Sequence, residues 1–145
     1  MNDLMQEAIN VAKQSGADVP VGALIVKNGQ IIASAHNQRE KDNDITCHAE
    51  ILVLKKASKK LENWRLDDCE LYVTLEPCPM CTWAILQSRI KAVYFGSFDT
   101  QYGALGSVID LRKQSGINLK VYGGISEKEC DKILQEFWKE KRLVK

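Results

Sequence analysis

Long hydrophobic runs are missing from this 145-residue chain. No stretch approaches the roughly 18 apolar residues that span a membrane, and the amino terminus lacks the basic-then-apolar order of a signal peptide. The expectation is a soluble, cytoplasmic protein with no membrane partner. An excess of one charge is missing too: twenty Lys and Arg stand against nineteen Asp and Glu, a net charge of +1. That balance neither supports nor excludes a nucleic-acid partner, so any such binding has to come from local patches. Repeats and low-complexity tracts are absent as well, which excludes a solenoid or a chain that stays unfolded.

What is present suits one core. With 45% hydrophobic residues, the chain is long enough for one well-buried interior and too short for two comfortable domains, so residues 1–145 read as a single domain. Five cysteines, an odd count, fit a reducing compartment in which thiols stay free.

Leu4, Met5, Ala8, Ile9 and Ala12 recur at helical spacing, with Gly16 placed to end that helix. Val21 to Val26 and Ile31 to Ala35 flank Asn28-Gly29, the pattern of a hairpin closed by a tight primed turn. His36 to Ile45 is polar and predicts an exposed loop, with Thr46 as N-cap of a helix from about His48 to Lys60. Glu70 to Leu75 predicts a buried strand, Pro79 opens a helix to about Ser88, and Ala92 to Phe95 predicts a strand parallel to the preceding one. Gly96 to Gly116 predicts irregular structure with one helical turn near Val108 to Lys113, and Leu119 to Tyr122 a last strand. Ser126 and Glu129 have capping-box spacing, and Cys130, Ile133, Leu134, Phe137 and Trp138 form an apolar stripe on the final helix. The fold class predicted is α/β: a three-layer α-β-α sandwich around a five-stranded mixed sheet. Lys132, Lys139, Lys141, Arg142 and Lys145 make the end of that helix basic, and on spacing alone a solvated face outweighs a phosphate contact.

The chemistry is concentrated in Cys47-His48-Ala49-Glu50 and Glu76-Pro77-Cys78-Pro79-Met80-Cys81. The imidazole of His48 and the thiolates of Cys78 and Cys81 form a nitrogen/sulfur set that suits zinc, and three protein ligands leave a position open for water. Glu50, in the first turn of its helix, reaches forward beside the metal without ligating it. H-x-E followed by P-C-x-x-C is the signature of zinc nucleobase deaminases, with the glutamate as proton carrier. A lone C-x-x-C also occurs in redox pairs and in half of a structural zinc ribbon. Here a second C-x-x-C is missing, and a structural fourth ligand would have to be Cys47, Cys69 or Cys130, of which Cys47 would turn back against its neighbour His48. Those three cysteines read as small buried hydrophobes.

With these residues in place the chain resembles the cytidine deaminase-like superfamily, and within it the bacterial tRNA-specific adenosine deaminases, over almost its whole length. The landmarks are VPVGALIV at Val19 to Val26, Asn37, CHAEI at 47–51, NWRL at 63–66, LYVTLEPCPMC at 71–81, SRI at 88–90 and FGSFDTQYGALGS at 95–107. The resemblance implies one zinc ion per chain on His48, Cys78 and Cys81, proton transfer by Glu50, and hydrolytic deamination of a wobble adenosine turned out of a tRNA anticodon loop. It also implies a homodimer, and substrate contacts from Asn37, Ala49 and Asp99. A strand-end cap is the structural alternative for Asn37, and a loop cap for Asp99. Thr82-Trp83 departs from the two small residues usual after the second cysteine, which predicts a narrowed pocket or an altered subunit contact. Competing readings are deamination of a free base or nucleoside such as guanine or cytidine, and a zinc-stabilised nucleic-acid-binding subunit without turnover. The intact Glu50 argues against the latter.

Overall fold

The structure is a computed structural model that describes residues 3–143. The described residues form six α-helices and five strands: α1 (Asp3–Ala12), β1 (Gly22–Lys27), β2 (Gln30–His36), α2 (Arg39–Asp42), α3 (Ala49–Leu61), β3 (Cys69–Leu75), α4 (Pro79–Gln87), β4 (Ala92–Ser97), α5 (Arg112–Ser115), β5 (Lys120–Tyr122) and α6 (Glu127–Leu143). The strands make one sheet in the order β2-β1-β3-β4-β5. β1 runs antiparallel to β2 and β3, whereas β3, β4 and β5 are mutually parallel. The predicted mixed sheet is present, and the parallel β3–β4 pair is joined through α4 as expected.

Alternation along the strands builds two cores. Ile25, Leu71 and Val73 pack with Val53 of α3 and Ile85 of α4 on one face. Leu24, Val26 and Tyr72 pack with Met5 and Ile9 of α1 and Cys130 of α6 on the other. Each fully buried aliphatic side chain contributes about 1.5–3 kcal/mol, so the near-continuous apolar run of β1 is what a strand covered on both sides requires. Across the β3–β4–β5 strands, Tyr72, Tyr94 and Tyr122 stack with ring centroids 4.5 and 5.0 Å apart. The hairpin turns at Asn28 and Gly29, both at positive φ (52° and 76°), the backbone of a primed two-residue turn whose twist matches its strands.

Local structure departs from the sequence reading at several points. The stretch expected to be loop from His36 to Ile45 contains the short helix α2. Thr46 does not cap α3: its N–H and hydroxyl both donate to Asp44 Oδ1, at 2.8 and 2.7 Å. A side chain engaged in that local turn is not free to cap, and His48 takes the N-cap position in extended backbone. Ser126 has φ of 53°, not the extended backbone an N-cap needs, so the capping-box geometry with Glu129 is not adopted. Between β4 and β5, Leu105 and Asp110 form an isolated bridge and the helical turn begins later, at Arg112. Lys145, the last member of the basic cluster, lies outside the described residues.

Candidate active site

The site forms where the parallel pair β3–β4 ends, the edge of an α/β sheet at which ligands commonly bind. β3 ends at Leu75, and the chain turns through Glu76 and Pro77 so that Cys78 becomes the N-cap of α4, with Pro79 at its first position. Proline is pre-organised for that position and has no N–H to leave unpaired. The same helix places Cys81 one turn in. From the other side β2 ends at His36, and α3 begins after its N-cap His48. Two helix N-termini therefore converge, and their positive partial charge favours thiolate on the sulfurs between them.

His48 Nδ1 lies 3.8 Å from Cys78 Sγ and 3.5 Å from Cys81 Sγ, and all three ligand atoms fall within 4.8 Å of one another. Tetrahedral zinc with Zn–N of about 2.0–2.1 Å and Zn–S of about 2.3 Å separates nitrogen from sulfur by about 3.6 Å. The measured pair brackets that value, so the three side chains are already spaced for the ion. Their protonation is arranged around it. A hydrogen bond from Cys81, reinforced by His48, pulls the Cys78 thiol down to about 4. Donation to Cys78 raises Cys81, and the bond to Cys78 raises His48. A cation entering such a set displaces shared protons.

Glu50 lines the same cavity, outside the ligating set. It is 4% exposed, and burial pushes its carboxyl up to about 7. A carboxyl titrating near neutrality can both take and return a proton. The cavity holds about 520 Å³ and is also lined by Asn37, Arg39, Phe98, Asp99, Tyr102 and Trp138. A larger groove of about 940 Å³ lies between α3 and α4, but none of the clustered ligands lines it.

Asn37 is buried, and its Oδ1 accepts from Ala49 N (2.8 Å) while Nδ2 donates to Val19 O (2.9 Å). It thereby fixes the start of α3, and the Ala49 N–H is occupied by that bond. Asp99 Oδ1 accepts from the N–H groups of Gln101 and Tyr102, at 3.0 and 2.9 Å, a loop cap on the cavity wall. Of the two alternatives for Trp83, the structure removes the narrowed pocket: the residue is 42% exposed and does not line the cavity. Two residues beyond Cys81 a helical side chain has rotated by about 200° and points away. Thr82 fits inside instead, fully buried, with its hydroxyl donating to Pro77 O. Cys47, Cys69 and Cys130 are buried as expected. The apolar stripe of α6 divides: Cys130 is in the core, whereas Leu134 and the half-exposed Trp138 reach the cavity.

Sequence reasoning passed over three further residues. Arg39 on the cavity wall stands 3.6 Å from the buried Asp18. Glu76 is 1% exposed and accepts hydrogen bonds from the loop after β4. An acidic residue closing an otherwise apolar strand is the signal that could have singled it out.

The family model for the cytidine and deoxycytidylate deaminase zinc-binding region matches residues 1–97. A tRNA-specific adenosine deaminase of Bacillus subtilis (strain 168) is 45% identical over 97% of this chain and 90% of its own length. One from Aquifex aeolicus (strain VF5) is 41% identical over 95% and 93%. Among solved structures, one from biochemical and structural studies of A-to-I editing by tRNA:A34 deaminases at the wobble position of transfer RNA superimposes with a TM-score of 0.84. It is 38% identical, over 90% of this chain and 97% of that one.

Proposed function

The chain belongs to the cytidine and deoxycytidylate deaminase family, and from that premise we propose how its residues divide the hydrolytic deamination of adenosine to inosine in tRNA. The activity follows from the relatives over nearly the full chain. The wobble base of an anticodon loop is the substrate. The observation that carries the residue assignment is the convergence of His48, Cys78 and Cys81, beside a buried carboxyl outside their set.

In this reading His48, Cys78 and Cys81 hold one zinc ion per chain. Bound there, zinc supplies Lewis-acid activation of water. Glu50 takes a proton from the attacking water as its oxygen bonds to C6 of adenine, and delivers it to ring N1. It then carries the second proton to N6 as the C6–N6 bond breaks, so that inosine and ammonia are the products. Burial of Glu50 excludes bulk water from this relay. Asn37 fixes the start of α3, and its second amide proton is left for the base. Asp99 meets the flipped nucleotide or its neighbour, with Oδ2 outside the loop-capping bonds. Ala49 is fully buried and acts through its N–H, which holds Asn37 in place. The exposed aromatics at the cavity rim, Phe98, Tyr102 and Trp138, suit unstacked bases of a single-stranded loop.

A homodimer is part of the same proposal, with Trp83 on the outer face of α4 at the contact, as is a cytoplasmic site of action. No helix among the described residues is long and apolar enough to cross a membrane. Free guanine or cytidine as substrate, or a subunit without turnover, is not favoured by relatives named for tRNA adenosine and by an intact Glu50. The test is competition: an anticodon stem-loop, free adenosine, cytidine and guanine are offered together, and products are separated by chromatography. Inosine in the stem-loop alone is expected. Consumption of a free base with the stem-loop untouched overturns the reading.

A further inference from the structure

Glu76 is a carboxylate that the deamination mechanism does not use, 1% exposed and tied to one loop. Its Oε1 accepts from Asp99 N (3.1 Å) and from the Ser107 hydroxyl. Its Oε2 accepts from Leu105 N (3.1 Å) and Ser107 N (3.1 Å). All four donors belong to the segment between β4 and α5, whose one regular feature among the described residues is the isolated Leu105–Asp110 bridge. The fit is close: a β-carbon added at Gly103 would stand 2.5 Å from the Glu76 carboxyl carbon and 2.5 Å from Asp99 O. At the other end Ala104 N donates to Pro77 O (2.9 Å), so the residues leading into Cys78 hold the loop twice.

The loop so held supplies Phe98 to Tyr102, five consecutive cavity-lining residues. We propose that Glu76 is the positioning residue that sets this wall, and with it the affinity for the RNA loop. The inference rests on the assignment of tRNA as substrate. Its physical basis is a matching of donors and acceptors. Four donors around one buried carboxylate are satisfied only when both oxygens accept. Glutamine in that place turns one acceptor into an NH2 group facing N–H groups, so part of the loop must detach.

The experiment compares Glu76→Gln and Ser107→Ala with the unmodified enzyme. It reads zinc content, KM and kcat on an anticodon stem-loop, and amide hydrogen exchange of residues 98–107. For Glu76→Gln the expected result is unchanged zinc, a KM raised about ten-fold or more with kcat within about three-fold, and exchange at Asp99, Leu105 and Ser107 accelerated about ten-fold or more. Ser107→Ala removes one donor and leaves the carboxylate, so a smaller rise in KM and faster exchange at Ser107 are expected. It decides the matter if Glu76→Gln fails to fold. Unchanged exchange, or a fall in kcat at constant KM, overturns the proposal. An unmodified enzyme inactive on the stem-loop removes the substrate assignment instead, and the exchange measurement then decides alone whether Glu76 holds the loop.

Discussion

Replacing Glu50 by Gln removes a titratable proton site and keeps the side chain's length and one acceptor oxygen. Two effects of opposite sign follow. In turnover, one carboxyl carries protons at more than one step. A single general acid or base contributes about 10²–10⁴-fold, so the loss belongs at the upper end, about 10⁴-fold or roughly 5 kcal/mol in the barrier. In stability, burial raises the carboxyl from its ordinary 4.5 to about 7. The folded protein then binds more protons than the unfolded one between those values, and stability falls as pH rises through that window. The displacement corresponds to roughly 3 kcal/mol above pH 7, which Gln does not incur. Zinc-stripped Glu50→Gln is therefore expected to melt higher than zinc-stripped wild type at pH 8, with the difference gone below pH 4.5, while the zinc-loaded variant binds the metal and produces almost no inosine. Single-turnover assays, elemental analysis and thermal melts read the three quantities. Retention of a tenth of wild-type turnover would show that another group carries the proton, and lost zinc would make Glu50 a ligand.

Cys78→Ala and Cys81→Ala are expected to lose zinc, activity and thermal stability together, because metal-binding energy is folding energy at such a site; unchanged melting in both would contradict the ligand assignment. Asn37→Ala removes two hydrogen bonds at a buried position and is expected to cost about 2–4 kcal/mol in stability on denaturant curves as well as activity, with a loss below 0.5 kcal/mol arguing against its role at the start of α3. Affinity for tRNA should fall as salt rises, with a modest log-log slope from a few phosphate contacts; salt-independent KM would place recognition entirely on the base.

The sheet, its two faces and the clustering of His48, Cys78 and Cys81 were legible because each leaves a periodic or fixed-spacing mark. Leu24 and Ile25 must enter opposite cores, and an N-cap Cys78 followed by Pro79 must bring Cys81 back one turn later. The capping expectations failed at two short polar residues, one through a competing side-chain partner and one through its backbone. Thr46 chose Asp44 over the helix end, and Ser126 adopted left-handed backbone. The pocket-narrowing alternative for Trp83 fails because proximity in sequence to Cys81 is not proximity in space, which a helix denies at a separation of two residues. The loop from Phe98 to Ser107 carries no periodicity at all. Its shape is set by Glu76, more than twenty residues before the donors it accepts, and single-sequence patterns do not report such long-range bonds.

The central claim, a water-derived oxygen placed on C6 of a tRNA adenosine, is tested most directly by isotope. The purified enzyme is incubated with tRNA in water enriched in oxygen-18, the RNA is digested, and its nucleosides are weighed. Inosine heavier by one oxygen-18 substitution, at the wobble position, and absent when zinc is removed, is the predicted result. Inosine without the label, or unmodified adenosine in a reaction that consumes a free base, would contradict the account.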